Sequence, residues 1–138
     1  MSTRPTGRAV LDKAMTEAEL QSAVIAHLKA FGYRYYHTRY SFGSNAGFPD
    51  LVAVRPCREK QHGRLAFIEL KREGKWLTDS QQAWHDDLFS VGIEGSFGCG
   101  ESDRCEGLRF DVVVWQPSDL SSCEIERVLR GALVDSER

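Results

Sequence analysis

Two short apolar segments separated by a polar turn constrain this sequence more than any other feature. They lie within the stretch from Gly47 to Lys71, which reads Gly-Phe-Pro-Asp-Leu-Val-Ala-Val before the turn and Leu-Ala-Phe-Ile-Glu-Leu-Lys after it. Apolar runs of this length, bounded by Gly, Pro and charged residues, are typical of strands. The intervening segment, Pro56 to Gly63, is short and polar. The sequence therefore predicts a β-hairpin.

The register of this hairpin determines which side chains face each other. If the residues that flank the turn pair with each other, Asp50 falls opposite Glu69 or Leu70. Facing Cα atoms in an antiparallel pair are about 4.5–5.5 Å apart. Because side chains alternate along a strand, Glu69 and Lys71 share one face of the sheet. We therefore expect two carboxylates and one ammonium group to meet at the same end of the hairpin.

The surroundings of these two acids favour a bound cation. Both carboxylates lie among apolar and aromatic residues, where an ionised group is costly unless it is paired or bound to a metal. Mg²⁺ accepts one or two carboxylates and keeps several waters for the oxygens of a substrate phosphate. The sequence therefore predicts a Mg²⁺ site at Asp50 and Glu69.

Length and composition indicate one domain with a modest core. The chain has 138 residues, 41% of them hydrophobic, and no apolar run long enough to span a bilayer. Residues 1–14 lack the apolar region of a secretory signal, so we expect a disordered lead-in followed by a single domain over residues 15–138. The missing signal region also predicts a cytoplasmic location. The cysteines lack the short paired spacings of a zinc site, and in that location we expect reduced thiols. They are Cys57, Cys99, Cys105 and Cys123.

The charge distribution is uneven although the net charge is only −2. Between Lys29 and Lys75 there are ten Lys and Arg residues against four Asp and Glu, whereas the remainder carries eight against sixteen. Positive charge near the predicted site favours the approach of phosphate groups. A solvated basic face with no ligand is the alternative interpretation.

The first predicted helix begins at a capping box. Thr16 has the position of an N-cap and Glu19 that of its partner three residues later, and the helical pattern continues to Gly32. Glu17 lies at the edge of the inward face. It is therefore a candidate metal ligand, directly or through a water. The alternative is an acid in the first turn that is favoured by the helix dipole.

A second capping box, from Thr78 to Gln81, predicts a helix from about Asp79 to Val91. Gln81 is the capping partner of Thr78, and its amide has donors and an acceptor to share with a further group.

Several basic residues near the predicted site are candidates for contacts with nucleic acid. His37 and Arg39 precede Pro49-Asp50, while Arg72 and Lys75 follow Lys71. Such side chains bind phosphate oxygens, and the neighbouring tyrosines offer rings that stack on unpaired bases. Core packing and solvated surface charge are the alternatives.

The C-terminal third is less regular. Residues 94–109 are rich in glycine, include Cys99 and Cys105, and have the character of an insertion. A compact apolar run from Phe110 to Trp115 predicts the last strand. Pro117-Ser118-Asp119 then introduces a last helix from Leu120 to about Leu133.

Taken in order, these motifs resemble the VRR-NUC branch of the PD-(D/E)xK nucleases. The similarity extends from about Thr16 to Leu120, most of the chain. The ordered set is more specific than Pro-Asp and Glu-x-Lys alone. The residues that carry it are Tyr36-His37-Thr38-Arg39, Gly47-Phe48-Pro49-Asp50-Leu51, Glu69-Leu70-Lys71, Leu77-Thr78, Gln81 and Trp84.

The resemblance implies an α/β fold with a restriction-endonuclease-like core, in which helices flank a central mixed β-sheet of about four strands. It also implies a Mg²⁺- or Mn²⁺-dependent DNA endonuclease. Asp50 and Glu69 would hold the metal, helped by the carbonyl of Leu70 and by Glu17, while Lys71 would orient or deprotonate the attacking water. The resemblance also places Gln81 beside the metal site, a role compatible with its capping of Thr78. Because Lys71 favours ionised acids, we expect both carboxylates to be charged at neutral pH before a metal binds.

The resemblance further implies a substrate class. Similar stand-alone proteins are often phage-borne, resemble Holliday junction resolvases and act on branched DNA as homodimers. A non-catalytic nucleic-acid-binding module on the same fold is the alternative function. A plain α/β domain in which Asp50 pairs with Lys71, without a metal, is a further alternative.

Overall fold

The computed structural model describes residues 3–38, 45–57, 63–94 and 109–130. In this part of the chain, no helix combines the length and the apolar character needed to cross a membrane. The helices are α1 (Gly7–Ala14), α2 (Glu17–Ala30), α3 (Asp79–Glu94), α4 (Pro117–Ser121) and α5 (Glu124–Arg130). The strands are β1 (Arg34–His37), β2 (Leu51–Arg55), β3 (Arg64–Leu70) and β4 (Arg109–Trp115).

The strands form one mixed sheet in the order β1-β2-β3-β4. The pairs β1/β2 and β2/β3 are antiparallel, whereas β3 and β4 are parallel. A parallel pair needs a long crossover connection, and α3 lies in that connection. The expected α/β architecture, a central four-stranded mixed sheet flanked by helices, is confirmed.

One face of the sheet carries the main core, because alternate residues of β2 and β3 point toward α2 and α5. Leu51 and Ala53 of β2 pair with Ile68 and Ala66 of β3, and all four are buried. The other buried hydrophobic residues of this core are Leu20, Val24, Leu28, Tyr33, Leu70, Trp115, Ile125 and Leu129.

The opposite face carries α3 and a smaller aromatic cluster. Phe48, from the segment before β2, meets Trp84 of α3 edge to face, with ring centroids 5.1 Å apart. It meets Phe67 of β3 in the same geometry at 6.1 Å. Phe67 in turn lies 5.5 Å from Phe110 of β4. Since Glu69 shares this face with Phe67, the aromatic cluster borders the acidic end of the hairpin.

The N-terminal segment differs from the expected disordered lead-in over residues 1–14. Residues Gly7–Ala14 form α1, whose N-cap Thr6 accepts a hydrogen bond from the backbone N–H of Ala9. Asp12 accepts a hydrogen bond from the Ser121 hydroxyl at 3.0 Å, which ties α1 to α4. The sequence pattern missed this helix because a short helix depends on tertiary contacts for its stability.

The C-terminal helix is also divided differently from the prediction. Two helices, α4 and α5, replace the single helix expected from Leu120 to Leu133, and Cys123 between them has a φ of 64°. A left-handed residue ends one helix and redirects the chain. Helix α3 extends to Glu94, beyond the predicted end at Val91. Residues 95–108, with Cys99 and Cys105, and residues 131–133 lie outside the described part of the chain.

Candidate active site

Two carboxylates meet at the end of the hairpin that lies away from its turn. Leu51 pairs with Ile68, so Asp50 lies opposite Glu69 where the ladder ends. The backbone N–H of Leu70 donates a hydrogen bond to Oδ2 of Asp50 at 2.9 Å. This bond fixes one oxygen of Asp50 against β3. The predicted convergence of the two acids is therefore present in the structure.

The position of Asp50 depends on the loop that precedes it. Its carbonyl accepts a hydrogen bond from the backbone N–H of Thr38 at 3.2 Å, which extends the β1/β2 ladder by one residue. Gly47 has a φ of 93° and lies so close to α3 that a Cβ atom there would collide with the backbone of Ser80 and Gln81. Only glycine fits this approach and this φ without strain. Gly47 thus packs directly against the backbone at the start of α3.

Glu69 is buried, with 5% of its surface exposed. Its Oε1 accepts a hydrogen bond from the Gln81 amide nitrogen at 2.9 Å. The amide oxygen of Gln81 simultaneously accepts the backbone N–H of Thr78 at 2.9 Å. Gln81 therefore caps α3, as predicted, and contacts Glu69 of the acidic pair with the same side chain.

Burial raises the pKa of the Glu69 carboxyl from its ordinary value of 4.5 to about 8. The negative charge of Asp50 and a hydrogen bond between the two carboxyl groups act in the same direction, while the charge of Lys71 opposes them. The expectation that both acids are charged at neutral pH before metal binds is therefore wrong for Glu69. Its desolvation and its acidic neighbour outweigh the nearby ammonium group.

This arrangement fits a hard divalent cation. The two carboxyl groups are close enough to share a proton. A bound cation would replace that proton and neutralise their negative charge. Their oxygens are ligands that Mg²⁺ and Mn²⁺ prefer. Among the described residues, no group of three or more His, Cys, Asp or Glu side chains gathers in a way that could hold a metal ion. A cation here would complete its coordination with backbone oxygens, waters or substrate oxygens.

The remaining predicted ligands differ in their placement. Leu70 lies between Glu69 and Lys71, and its N–H is the group that holds Asp50. Glu17 is exposed in the first turn of α2 and does not join the two carboxylates in a three-membered cluster within the described residues. The structure therefore brings Asp50, Glu69 and Gln81 together and leaves Glu17 at the surface.

Lys71 follows β3 directly. Its backbone N–H donates to the carbonyl of Trp115 at 3.0 Å, which extends the β3/β4 ladder past the last assigned residue of β3. Its half-buried ammonium group is close enough to Glu69 to lower the pKa of that carboxyl. The predicted acid, acid and ammonium combination is therefore present at this end of the sheet.

The residues predicted to contact nucleic acid differ in their surroundings. His37 ends β1, pairs with Leu51, and has its Nδ1 3.4 Å from the side-chain nitrogen of Gln21 in α2. Arg72 is exposed and donates to the carbonyl of Lys13 at 3.4 Å. Lys75 is also exposed. Arg39 lies outside the described residues.

The segment between β3 and α3 is held by residues that no local sequence motif marks. The amide of Gln116 donates to the carbonyl of Lys75 at 2.7 Å and accepts the N–H of Gly74 at 3.4 Å. Glu73 accepts the backbone N–H of Ser118 at 2.9 Å. These bonds join residues more than forty positions apart, so no local pattern predicts them. They fix the segment that follows Lys71 against the start of α4.

Comparisons with known proteins found a family and a solved structure that resemble this chain. The profile of the family described as "VRR-NUC domain" matches residues 15–96, more than half of the sequence. A solved structure described as "VRR_NUC domain" is similar with a TM-score of 0.51 and 19% sequence identity, over 78% of this chain and 92% of that chain. At this identity the structural match supports the fold alone. No curated protein matched the sequence significantly.

Proposed function

Because this chain belongs to the VRR-NUC domain family, we propose that it is a Mg²⁺- or Mn²⁺-dependent endonuclease that hydrolyses phosphodiester bonds in DNA. Family membership by itself implies a nuclease-type domain that acts on nucleic acid. One observation carries the proposal further. The buried Glu69 carboxyl, with its pKa raised to about 8, faces Asp50 and lies within the field of Lys71. Perturbed acids of this kind are typical of functional sites.

The two carboxylates of Asp50 and Glu69 would hold the cation, and the carbonyl of Leu70 is available beside them. When bound, the cation would neutralise charge on the phosphate and lower the pKa of a coordinated water. Glu17 is a further candidate through a water, and it would have to reach the site from its exposed position on α2.

The protein's own groups have separate tasks in this scheme. The N–H of Leu70 keeps one oxygen of Asp50 oriented, and the Gln81 amide does the same for Glu69. Glu69 would release its proton to solvent if a cation bound there, because a ligating carboxylate must be ionised. The ammonium group of Lys71 positions the attacking water and stabilises the negative charge that develops on the phosphate.

The substrate class is proposed from the resemblance and from the basic groups near the site. Arg72 and Lys75 are exposed in the segment that follows Lys71, where they are available to phosphates of a bound strand. His37 at the end of β1 would add a contact, and Arg39, two residues later in the sequence, is a further candidate. Branched DNA, such as a four-way junction, and action as a homodimer complete the proposal.

A cleavage assay with several DNA shapes tests this function. Junction, flap, duplex and single-stranded DNA are incubated with the protein and Mg²⁺, Mn²⁺ or EDTA. We expect cleavage that requires the metal and that falls about 100-fold or more in Asp50→Asn, Glu69→Gln and Lys71→Met, as is typical when a charged group is lost at a reacting centre.

The control variant Glu126→Gln changes an acid on α5, where Glu126 pairs with Arg130. It should cleave like the unmodified protein. DNA binding without cleavage on every substrate would instead support the non-catalytic binding module. Absence of both binding and cleavage would support the plain α/β domain.

A further inference from the structure

Trp76 is the tryptophan that this fold leaves in solvent. Trp115 is 3% exposed, and Trp84 packs against Phe48 in the aromatic cluster. Trp76, in contrast, is 62% exposed. Indole rings normally contribute large buried areas to cores or interfaces, so an exposed ring beside a candidate active site suggests a surface for a ligand.

The orientation of the exposed ring is fixed. The indole N–H of Trp76 donates to the amide oxygen of Gln82 at 3.2 Å. The amide nitrogen of Gln82 donates to Asp86 at 2.8 Å, one turn further along α3. These bonds hold the ring by its edge. A ring that is already oriented loses little conformational freedom when a ligand stacks on it.

Two neighbouring glutamines of α3 connect the Trp76 ring with the acidic pair. Gln82, which holds Trp76, directly follows Gln81, which contacts Glu69 at 2.9 Å. The backbone carbonyl of Lys75 is held by Gln116, so the segment that carries Trp76 is fixed on both sides. Trp76 therefore contacts the first turn of α3 through Gln82, the neighbour in sequence of the glutamine that binds Glu69.

Positively charged residues in the segment that carries Trp76 favour a negatively charged ligand. Lys75 precedes it and is exposed, as is Arg72 earlier in the same segment. An exposed lysine adjacent in sequence to an exposed aromatic ring matches the combination found in single-stranded nucleic acid, a negative backbone with flat unpaired bases. An apolar protein segment would gain nothing from these cations.

We propose that Trp76 is a stacking platform for an unpaired base of the DNA substrate, near the phosphate that a cation at Asp50 and Glu69 would bind. This inference rests on the proposed nuclease function and specifies its substrate class. The preferred DNA has unpaired nucleotides at or beside the cleavage position, as in a flap, a single strand or a branched DNA whose base pairs open at the crossover. A continuous duplex keeps its bases stacked inside the helix and would not use this platform.

Binding in EDTA tests the proposal without requiring cleavage. Affinity for oligothymidylate and for a blunt duplex is measured with the unmodified protein, Trp76→Ala and Trp76→Phe. Loss of one base–aromatic stack weakens binding by about 5-fold to about 150-fold. We expect this loss for Trp76→Ala on oligothymidylate and no comparable loss on duplex. Trp76→Phe keeps a ring for stacking and should retain most of the affinity.

Phe89→Ala provides the matched control. Phe89 is a 50% exposed aromatic residue on the same helix, about 12 Å further along its axis than Gln81 at the standard helical rise. It should bind both DNAs like the unmodified protein. Equal losses on single-stranded and duplex DNA in Trp76→Ala, or a loss of equal size in Phe89→Ala, would overturn the proposal.

Fluorescence provides a second readout. Oligothymidylate should quench tryptophan emission in the unmodified protein and much less in Trp76→Phe, because Trp84 and Trp115 are shielded in the fold. Unchanged quenching in Trp76→Phe would refute stacking at this position. A loss of self-association in Trp76→Ala, seen by gel filtration, with unchanged DNA affinity would assign the ring to a second copy of the chain instead.

The two proposals fail separately. If no DNA is cleaved with any metal but quenching by oligothymidylate depends on Trp76, the nuclease activity is refuted and the stacking platform stands. If cleavage depends on Asp50 but is unaffected by Trp76→Ala on every DNA shape, and binding is unaffected too, the stacking platform is refuted and the nuclease stands.

Discussion

The Gln81 amide nitrogen donates to Oε1 of Glu69, while the oxygen of the same amide accepts the backbone N–H of Thr78, the residue before α3. One side chain thus joins the start of a helix to a buried carboxyl on a central strand. Helix α3 and the acidic pair cannot shift independently without breaking one of these bonds. Gln81 therefore both caps α3 and positions a carboxyl group of the candidate site.

Changing Gln81 to glutamate or to leucine should separate its two roles. Gln81→Glu keeps an acceptor for the N–H of Thr78 but places a third carboxyl against Glu69, which should weaken folding and strengthen dependence on a divalent cation. Gln81→Leu loses both hydrogen bonds and should destabilise the protein by about 1–3 kcal/mol. Urea denaturation with and without Mg²⁺ measures both effects. Equal cation dependence in Gln81→Glu and the unmodified protein would contradict the contact with the acidic pair.

The raised pKa of Glu69 predicts how stability depends on pH in EDTA. Below about pH 4.5 the carboxyl is protonated in both the folded and the unfolded chain. Between about pH 4.5 and about pH 8 only the folded chain retains the proton, so the free energy of unfolding falls as pH rises. Above the folded-state pKa of about 8 this fall ends.

Glu69→Gln removes the titrating group while keeping an acceptor for Gln81. The free energy of unfolding of the unmodified protein, relative to this variant, should therefore decline by a few kcal/mol across that window, at about 1.4 kcal/mol per unit of pKa difference. Denaturant titrations at a series of pH values measure the difference. A difference that stays constant with pH would show that Glu69 titrates normally in the fold.

Cation binding at neutral pH should displace the proton of Glu69. About one proton is expected to leave for each cation bound near pH 7, because the carboxylate must be ionised to serve as a ligand. Calorimetric titration with Mg²⁺ in buffers of different ionisation enthalpy measures the number released. In Glu69→Gln the heat should become independent of the buffer, and Asp50→Asn should weaken binding. Buffer-independent heats in the unmodified protein would contradict the protonated state.

Gly47→Ala should damage the site through the backbone. The new Cβ atom would collide with Ser80 and Gln81 at the start of α3, and a positive φ disfavours alanine. Together these effects should cost about 2–4 kcal/mol of stability and weaken Mg²⁺ binding. Gly32→Ala is a matched control, since Gly32 has a φ of 81° but open space around it. Thermal denaturation and Mg²⁺ titration compare the two, and equal effects would show that the close approach is unimportant.

A buried ion pair at the far end of β3 should affect stability without affecting the site. The Arg64 guanidinium, 4% exposed, donates to Asp111 at 2.7 Å. Within the residues that the structure describes, its Nη1 has no hydrogen-bond partner. Asp111→Ala would leave this cation buried and unpaired, at a cost of about 3–5 kcal/mol. Urea denaturation should show this loss while Mg²⁺ affinity stays unchanged at permissive denaturant concentrations. A loss of Mg²⁺ affinity would indicate that the pair also shapes the site.

Local sequence patterns predicted much of the secondary structure and the register of the hairpin. The turn between β2 and β3 pairs Arg55 with Arg64, and the constant pairing rule then brings Asp50 opposite Glu69. Both capping boxes, at Thr16 and at Thr78, mark helix starts in the structure. These features involve residues that are near in sequence, or that are linked by the period of a strand. Their chemistry can therefore be worked out before any fold is known.

The tertiary structure alone decided the properties that depend on distant elements meeting. Burial set the protonation state of Glu69, the approach of α3 made Gly47 necessary, and contact with α4 stabilised α1 where a disordered segment was expected. Packing likewise left Trp76 exposed while it buried Trp115. Solvent exclusion and close backbone contact arise between segments far apart in the chain. For that reason the sequence by itself determined which groups form the site, and the fold determined their charge, spacing and access to substrate.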